Sequence, residues 1–220
     1  MPRVWRVWEI QVQVSSVLWR RLDTPGHDVC RLEKSDAGWK LEGVAVFLHE
    51  EGPASLRYRI ACDLTWRTIN GAVHGYLGER PVAIRVNHAS DDQWTFNEAP
   101  VAGFEHLIDL DFSFTPSSNF FQLQRLDLKV GEGRDMDVVW LDPAAGILQK
   151  LPQRYERRSE TKYIYEAPTV PYAAEIEIRR TDSFAGIPIF GRQKSEHGQE
   201  IILIRGCRVR FVSSIGRTGW

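Results

Sequence analysis

Two aspartates, Asp109 and Asp111, stand two positions apart in a run where polar and apolar residues alternate. In a β-strand this spacing places both carboxyl groups on one face, about 6–7 Å apart. Carboxylates in this arrangement can accept hydrogen bonds from sugar hydroxyls, and two like charges in a cleft raise the pKa of at least one of them. The structural alternative is that they cap turns or pair with Arg67, Arg125 or Arg154 at the sheet surface.

Thr115 and Asn119 follow at a predicted junction between this strand and a helix. Together with the free N–H groups of the first helical turn, their side chains can fix the orientation of a polar ligand. Thr115 is equally suited to cap the helix, and Pro116 suits the first helical position. A ligand-orienting role and an ordinary capping arrangement are therefore both open for this pair.

Aromatic and basic side chains supply the remaining candidate ligand contacts. Trp66, next to Arg67, is the best candidate for a pocket wall, because Trp can stack on a sugar ring while its N–H stays available. Gln153, Arg154 and Tyr155 offer an amide, a guanidinium and a phenol on one bent strand, suited to a hydroxylated or phosphorylated head group. Alternatively, Trp66 belongs to the core, and Gln153, Arg154 and Tyr155 form the end of a strand that is held by a salt bridge.

The composition is that of a folded globular protein, with 220 residues, 43% hydrophobic and 26% charged. A formal net charge of −1 gives no global field that would attract nucleic acid or an anionic membrane. The start lacks a secretory apolar segment, and no run of 18 apolar residues is present. The chain has three cysteines, Cys30, Cys62 and Cys207, which is an odd number, and they form no CxxC pair. This pattern indicates neither a disulfide framework nor a zinc site. We expect a cytoplasmic protein with no transmembrane segment, no nucleic-acid partner, no metal and no cofactor.

Enzyme motifs find little support in the sequence. The run around Asp109 and Asp111 is similar to the nucleophile strand of haloacid-dehalogenase phosphatases, but that chemistry needs a parallel sheet with helices on both faces and a bound Mg²⁺. The chain offers hardly any amphipathic helix for such a fold. The stretch from His49 to Gly52 lacks the spacing of a zinc protease and suits a polar hairpin turn. A metal-dependent hydrolase or phosphatase that uses the two aspartates stays as the alternative to a binding protein.

Period-two alternation predicts β-strands along most of the chain, as in Leu56–Cys62 and Ile108–Phe114. Asn70-Gly71 predicts a tight hairpin, since both central residues of its turn need positive φ. The region from Thr115 to Leu126 has the spacing of a short helix. We predict a mainly β, single-domain protein in which a long antiparallel sheet, like a β-roll or open barrel, wraps around one short α-helix.

The segment from Asp109 to Asn119 resembles the signature of the bacterial putative glycolipid-binding family. That family typically has an Asp-x-Asp/Gly-Phe strand, then Thr-Pro-x-Thr-Asn, then an Arg-Leu-x-Leu strand, which Arg125 to Leu128 fills here. Other segments in the expected order are Leu18–Leu22, Pro25–Leu32, Tyr58–Arg67, Val139–Leu141, Leu151–Tyr155 and Tyr163–Glu166.

The resemblance implies a domain over residues 17–178, with 1–16 as an N-terminal extension and 179–220 as an atypical tail of the same domain. It also implies a long antiparallel sheet around one helix, a homodimer, remote similarity to lipoprotein-localisation factors, and an acidic pocket for glycolipid. The expected function is therefore non-catalytic binding of a glycolipid or related sugar-containing amphiphile, with a role in glycolipid metabolism. A structural dimerisation module is a further alternative.

Overall fold

The computed structural model describes residues 13–21, 23–170 and 172–178, together with the backbone of 188–190 and 200–202. These residues form fifteen β-strands, one 3-10 helix and one α-helix. The prediction of a mainly β protein with one short α-helix is confirmed.

The larger sheet has nine strands, and each pair of neighbours is antiparallel. Its spatial order is β15, then β1 to β8 in chain order, so consecutive strands form a meander. The strands are β1 (Gln13–Arg20), β2 (Gly26–Ser35), β3 (Gly38–His49), β4 (Gly52–Cys62), β5 (Thr68–Leu77), β6 (Arg80–His88), β7 (Trp94–Phe96), β8 (Ala99–Val101) and β15 (Glu200–Ile202).

The smaller sheet has six strands in the order β14-β13-β12-β11-β10-β9. Its strands are β9 (Leu110–Phe112), β10 (Gly133–Asp142), β11 (Ile147–Arg157), β12 (Lys162–Ala167), β13 (Tyr172–Ile178) and β14 (Pro188–Phe190). All its pairs are antiparallel except β9 and β10, which run parallel because a helix connects them.

The helix lies where the sequence predicts it. Thr115 accepts a hydrogen bond from the N–H of Ser117, and a 3-10 turn over Pro116–Ser118 leads into α1 (Asn119–Leu126). This arrangement satisfies an N–H group that a helix start leaves without a partner. Asp127, with φ of 41°, ends the helix, and its N–H donates to the carbonyl of Leu123.

One hydrophobic core fills the space between the two sheets. In β4 the side chains of Leu56, Tyr58 and Ile60 are buried while the intervening residues are not, so strand alternation gives this sheet an inner and an outer face. Phe120 and Phe121 of the helix are buried in the same core. The side chains of the helix thus complete the interior that the sheets enclose.

The predicted hairpin at Asn70-Gly71 is wrong. Both residues lie inside β5, where Gly71 is in register with Ile60 on one side and Val86 on the other. A Cβ at Gly71 would lie 2.3 Å from Leu110 Cδ2, so the glycine serves close packing between the sheets rather than a turn.

Other predictions concern the ends of the chain and the strand before the helix. The predicted strand over Ile108–Phe114 shortens to Leu110–Phe112, since the chain turns into the helix after Phe112. Residues 1–12 and most of the predicted C-terminal tail lie outside the described residues, so the limits of the extension and the tail stay predictions. No helix in the described part of the chain is long and apolar enough to cross a membrane.

Candidate functional site

A cavity of about 310 Å³ lies beside the start of the helix. The residues that line it include Asp111 of β9, Thr115 before the helix and Asn119 at its first position. Trp140 of β10, the cross-strand neighbour of Asp111, and Tyr165 of β12 line it as well. The cavity therefore combines polar groups at a strand-to-helix junction with aromatic walls, which is typical of small-molecule sites.

Asp111 is the buried carboxyl group of this cavity, with 4% of its surface exposed. It accepts hydrogen bonds from the hydroxyl of Ser118 and, at 2.6 Å, from Nε2 of Gln153. Burial raises the pKa of Asp111 to about 6, although these hydrogen bonds and that of the Phe112 N–H oppose the shift. The nearby charge of Asp109 makes a smaller contribution to this raised pKa, in the direction that the spacing of the two aspartates predicts.

A chain of hydrogen bonds connects Asp111 to the helix. Nδ2 of Asn119 donates to the hydroxyl oxygen of Tyr155 at 2.7 Å, and that hydroxyl donates to Oε1 of Gln153 at 3.1 Å. Gln153 in turn donates to Asp111. Gln153 and Tyr155 do not line the cavity, but they fix the positions of the two polar groups that do.

A second buried network lies behind Thr115. Its hydroxyl donates to Asp28, which is 2% exposed and also accepts a hydrogen bond from the Tyr58 hydroxyl at 2.9 Å. Ser117 Oγ donates to the oxygen of Tyr58 at 3.1 Å. Burial raises the pKa of Asp28 to about 6, against the lowering effect of the hydrogen bonds from Thr115 and Tyr58. This network joins β2 and β4 to the helix start and so holds one wall of the cavity.

An ion pair and two tyrosines also line the cavity. Nη1 of Arg21 donates to the carbonyl of Phe114 at 3.0 Å, and its guanidinium pairs with Asp23 at 2.6 Å. The ring centroids of Tyr165 and Tyr172 lie 5.8 Å apart. Arg21, Asp23 and both tyrosines line the cavity.

Asp109 and Arg125, both predicted site residues, do not line this cavity. Asp109 is 1% exposed, and its carboxylate accepts hydrogen bonds from Nε and Nη2 of Arg125. Burial raises the pKa of Asp109, and the guanidinium of Arg125 opposes that shift. The pair ties the helix to the residue just before β9. Arg125 is one of the three arginines that the sequence offers as partners, but the carboxylate of the pair is buried, so the pair does not lie at the sheet surface.

Trp66, Arg67 and Arg154 also lie away from the cavity. Trp66 stacks on Trp39 with ring centroids 4.1 Å apart. Arg67 contacts Nε2 of His88 at 2.7 Å and fixes the loop at the end of β6. Arg154 pairs with an exposed aspartate at the surface of the smaller sheet. Of the ten predicted ligand-binding residues, the cavity therefore brings together Asp111, Thr115 and Asn119, with Gln153 and Tyr155 directly behind them.

Five cavity residues that carry a charge, an indole or a phenol are not among the predicted ligand-binding residues: Arg21, Asp23, Trp140, Tyr165 and Tyr172. Three of them, Arg21, Trp140 and Tyr165, fall in segments that carry the family resemblance, so the sequence held a signal for them. Nothing in the sequence pattern singles out Tyr172. Pairing within the smaller sheet brings it beside Ala167, at the end of β12.

The arrangement gives the two aspartates protein partners rather than a shared ion. Asp109 pairs with Arg125, and Asp111 is held by Ser118 and Gln153. Within the described residues, no group of three or more His, Cys, Asp or Glu side chains is placed to hold a metal ion. Both carboxylates therefore already accept hydrogen bonds from protein groups.

The fold and the cavity define a class of protein in which antiparallel sheets enclose a helix and a partly polar pocket. A sequence model described as "Putative glycolipid-binding" matches residues 16–183, and the chain belongs to this family. Among solved structures, that of a DUF1089 family protein from Pseudomonas aeruginosa is similar, with a TM-score of 0.63 and 19% identity over 86% of this chain and 95% of that one. This similarity shows that the two proteins share a fold. No curated protein matches the sequence.

Proposed function

We propose that the cavity binds the sugar head group of a glycolipid, or of a related sugar-containing amphiphile, without a covalent step. The observation that carries this proposal is that Asp111 and Asn119 line the same cavity as Trp140 and Tyr165. A carboxylate and an amide exchange hydrogen bonds with hydroxyl groups, and aromatic rings pack on the apolar face of a sugar. The family to which the chain belongs supports the ligand class.

Each polar residue has a role that follows from its hydrogen bonds. Asp111 uses one lone pair on each oxygen for Ser118 and Gln153, so further lone pairs can accept from ligand hydroxyls. Asn119 and Thr115 orient the ligand from the helix side. Gln153 and Tyr155 are positioning residues, because they hold Asp111 and Asn119 in place.

The size of the cavity supports a head group rather than a whole lipid. Its volume of about 310 Å³ lies at the lower end of the range for small-molecule pockets. Val170, which is 39% exposed, lines the cavity, so an acyl chain would leave the cavity past this side chain. Each CH₂ group of the chain that becomes buried contributes about 0.8 kcal/mol.

The first experiment is native mass spectrometry of protein purified without harsh detergent, followed by solvent extraction and identification of the lipid. Ser113 lines the cavity and is exposed, so Ser113→Trp fills the space without disturbing the core. Ser90→Trp, at an exposed turn that does not line the cavity, is the matched control. We expect a reproducible glycolipid mass on the wild type and on the Ser90 variant, and its loss from the Ser113 variant.

Two results would overturn this proposal. The first is a protein that stays empty after purification and after incubation with octyl glucoside. The second is a ligand that dissociates on treatment with EDTA, which would favour the metal-dependent hydrolase that uses Asp109 and Asp111. The same spectra report the mass of the assembly. From the family resemblance we propose a cytoplasmic homodimer with a role in glycolipid metabolism, and a monomeric mass would contradict the dimer.

A further inference from the structure

The outer face of the larger sheet carries a second, basic concavity of about 590 Å³, separate from the proposed sugar site. Four arginines line it, namely Arg31 of β2, Arg57 and Arg59 of β4, and Arg85 of β6. Glu42 is the one carboxylate among the residues that line it, so four positive charges against one negative charge leave +3. The whole chain carries a formal net charge of −1. Positive charge is therefore concentrated here, although the protein as a whole is not basic.

Strand register explains how the arginines share one space. Arg59 and Arg85 occupy one cross-strand row, with Ala72 of β5 between them. Strands two apart are separated by about 10 Å, a distance that two long arginine side chains can close. Ala72 is only 2% exposed although both neighbours in its row are exposed, so the arginine stems cover it. The short alanine side chain leaves room between the two guanidinium groups.

Three of these arginines form no ion pair in the described part of the chain. Glu42 is the cross-strand neighbour of both Arg31 and Arg59, but it pairs with Lys40 at 3.3 Å, and Arg31 pairs with Glu33 at 2.6 Å. Within the described residues, no ion pair engages the guanidinium groups of Arg57, Arg59 or Arg85. Like charges placed close together without counter-charge repel one another, and a bound anion removes that repulsion.

An apolar margin adjoins the basic row on the same face. Val29 and Val44 line the concavity, and Val29 is 47% exposed. In the next row Val46 and Tyr76 are 44% and 47% exposed. A ligand that fits this surface therefore has an anionic group for the arginines and an apolar part for the margin.

We propose that the outer-face concavity is a binding site for a phosphate monoester, with the apolar margin available to an apolar group attached to it. Guanidinium groups that approach from two strands match the several oxygens of a phosphate better than a planar carboxylate, and arginine forms bidentate hydrogen bonds with phosphate. The phosphate can belong to a soluble compound or to the head group of a lipid in a membrane. The four arginines of this site do not line the proposed sugar cavity.

Two probes distinguish these sources. Titration calorimetry with glycerol 3-phosphate tests a soluble phosphate monoester. Flotation with phosphatidylcholine vesicles, with and without phosphatidic acid, tests a lipid head group. The decisive variant is Arg59→Gln with Arg85→Gln, since both side chains are exposed. Arg134→Gln with Arg158→Gln removes the same charge from exposed positions of the smaller sheet and its edge, and serves as the control.

We expect the wild type to bind at least one of the two probes, and to bind it more weakly at 300 mM than at 50 mM salt. The Arg59 and Arg85 variant should bind that probe at least tenfold more weakly, and the control variant should bind it as the wild type does. Ser113→Trp should keep this binding, which separates the site from the sugar cavity. Equal binding by the two double variants, or no binding of either probe, would overturn the proposal. A change of oligomeric state in the Arg59 and Arg85 variant without anion binding would also overturn it, because the face would then be an interface between copies of the chain.

Discussion

Gly71 and Leu110 bring the two sheets into direct contact. A Cβ added to Gly71 would lie 2.3 Å from Leu110 Cδ2, well inside van der Waals contact, so the leucine side chain occupies space that only glycine leaves free. The N–H of Leu110 donates to the hydroxyl of Thr68 at 3.1 Å, at the start of the same strand as Gly71. This contact sets the position of β9, and β9 carries Asp111 into the cavity.

Gly71→Ala should destabilise the protein by about 1–3 kcal/mol, because the added methyl group overpacks a fully buried contact. Leu110 is 0% exposed, so its side chain is surrounded by other buried groups. The free energy of unfolding from urea titration, followed by tryptophan fluorescence, measures the effect.

Gly133→Ala is the matched control for this substitution. Its Cβ would lie 2.8 Å from Nη2 of Arg154, the end of a flexible side chain that can move away. We expect a change within about 0.5 kcal/mol, as for other surface positions. Equal losses of stability in both variants would show that the close contact between the sheets is not the cause.

Arg125→Gln should be strongly destabilising, by about 3–5 kcal/mol, because it leaves the carboxylate of Asp109 buried without its cation. Asp109 is 1% exposed, and the guanidinium of Arg125 is its ion-pair partner. Chemical denaturation of the purified variant at pH 7 measures the loss.

Arg154→Gln removes a pair of the same type from the surface, where Asp135 has 80% of its side chain exposed. Solvent screens such pairs, so we expect a loss below about 1 kcal/mol. If the two arginine variants were equally stable, Asp109 would not depend on the ion pair.

Asp28 should make stability fall as the pH rises. Its pKa is about 6 in the folded protein and 3.8 in the reference state, so the folded form holds its proton more tightly. This contribution is fully present below pH 3.8 and is lost as the pH rises through about 6, by at most roughly 3 kcal/mol. Asp28→Asn keeps a neutral side chain at every pH. The stability of the wild type relative to this variant should therefore decrease between pH 4 and pH 7.

Urea titrations of both proteins across this range measure the difference, and a carboxyl-selective NMR titration reports the pKa of Asp28 directly. A difference in stability that rises with pH would have the opposite sign. It would mean that the hydrogen bonds from Tyr58 and Thr115 outweigh the burial of the carboxylate.

The strand patterns and the helix were predictable because they depend on local spacing. The alternation of buried and exposed side chains in β4 is determined by neighbouring residues, and so is the start of the helix at Thr115-Pro116. Asn70-Gly71 misled the prediction because this glycine makes room for the side chain of Leu110, which is 39 positions away in the chain. A tight contact between sheets leaves the same sequence signal as a hairpin turn.

The candidate site was predictable where it lies on one continuous segment. Asp111, Thr115 and Asn119 reach the cavity together because a strand and a helix follow one another directly. Spacing alone could not show that Asp109 faces Arg125 or that Trp66 stacks on Trp39, since these partners come from other elements. Tyr172 joins the site only through sheet pairing.

The affinity for a sugar-containing ligand should depend on the protonation of Asp111. Its pKa of about 6 means that the carboxyl group is mainly neutral at pH 5 and mainly ionised at pH 7.5. Hydrogen bonds to a charged acceptor are worth about 1.5–3 kcal/mol, against about 1 kcal/mol for neutral pairs. We therefore expect octyl glucoside, below its micelle concentration, to bind about tenfold more weakly at pH 5 than at pH 7.5. Asp111→Asn should bind weakly at both pH values, and a wild-type affinity that does not change with pH would remove Asp111 from the ligand contacts.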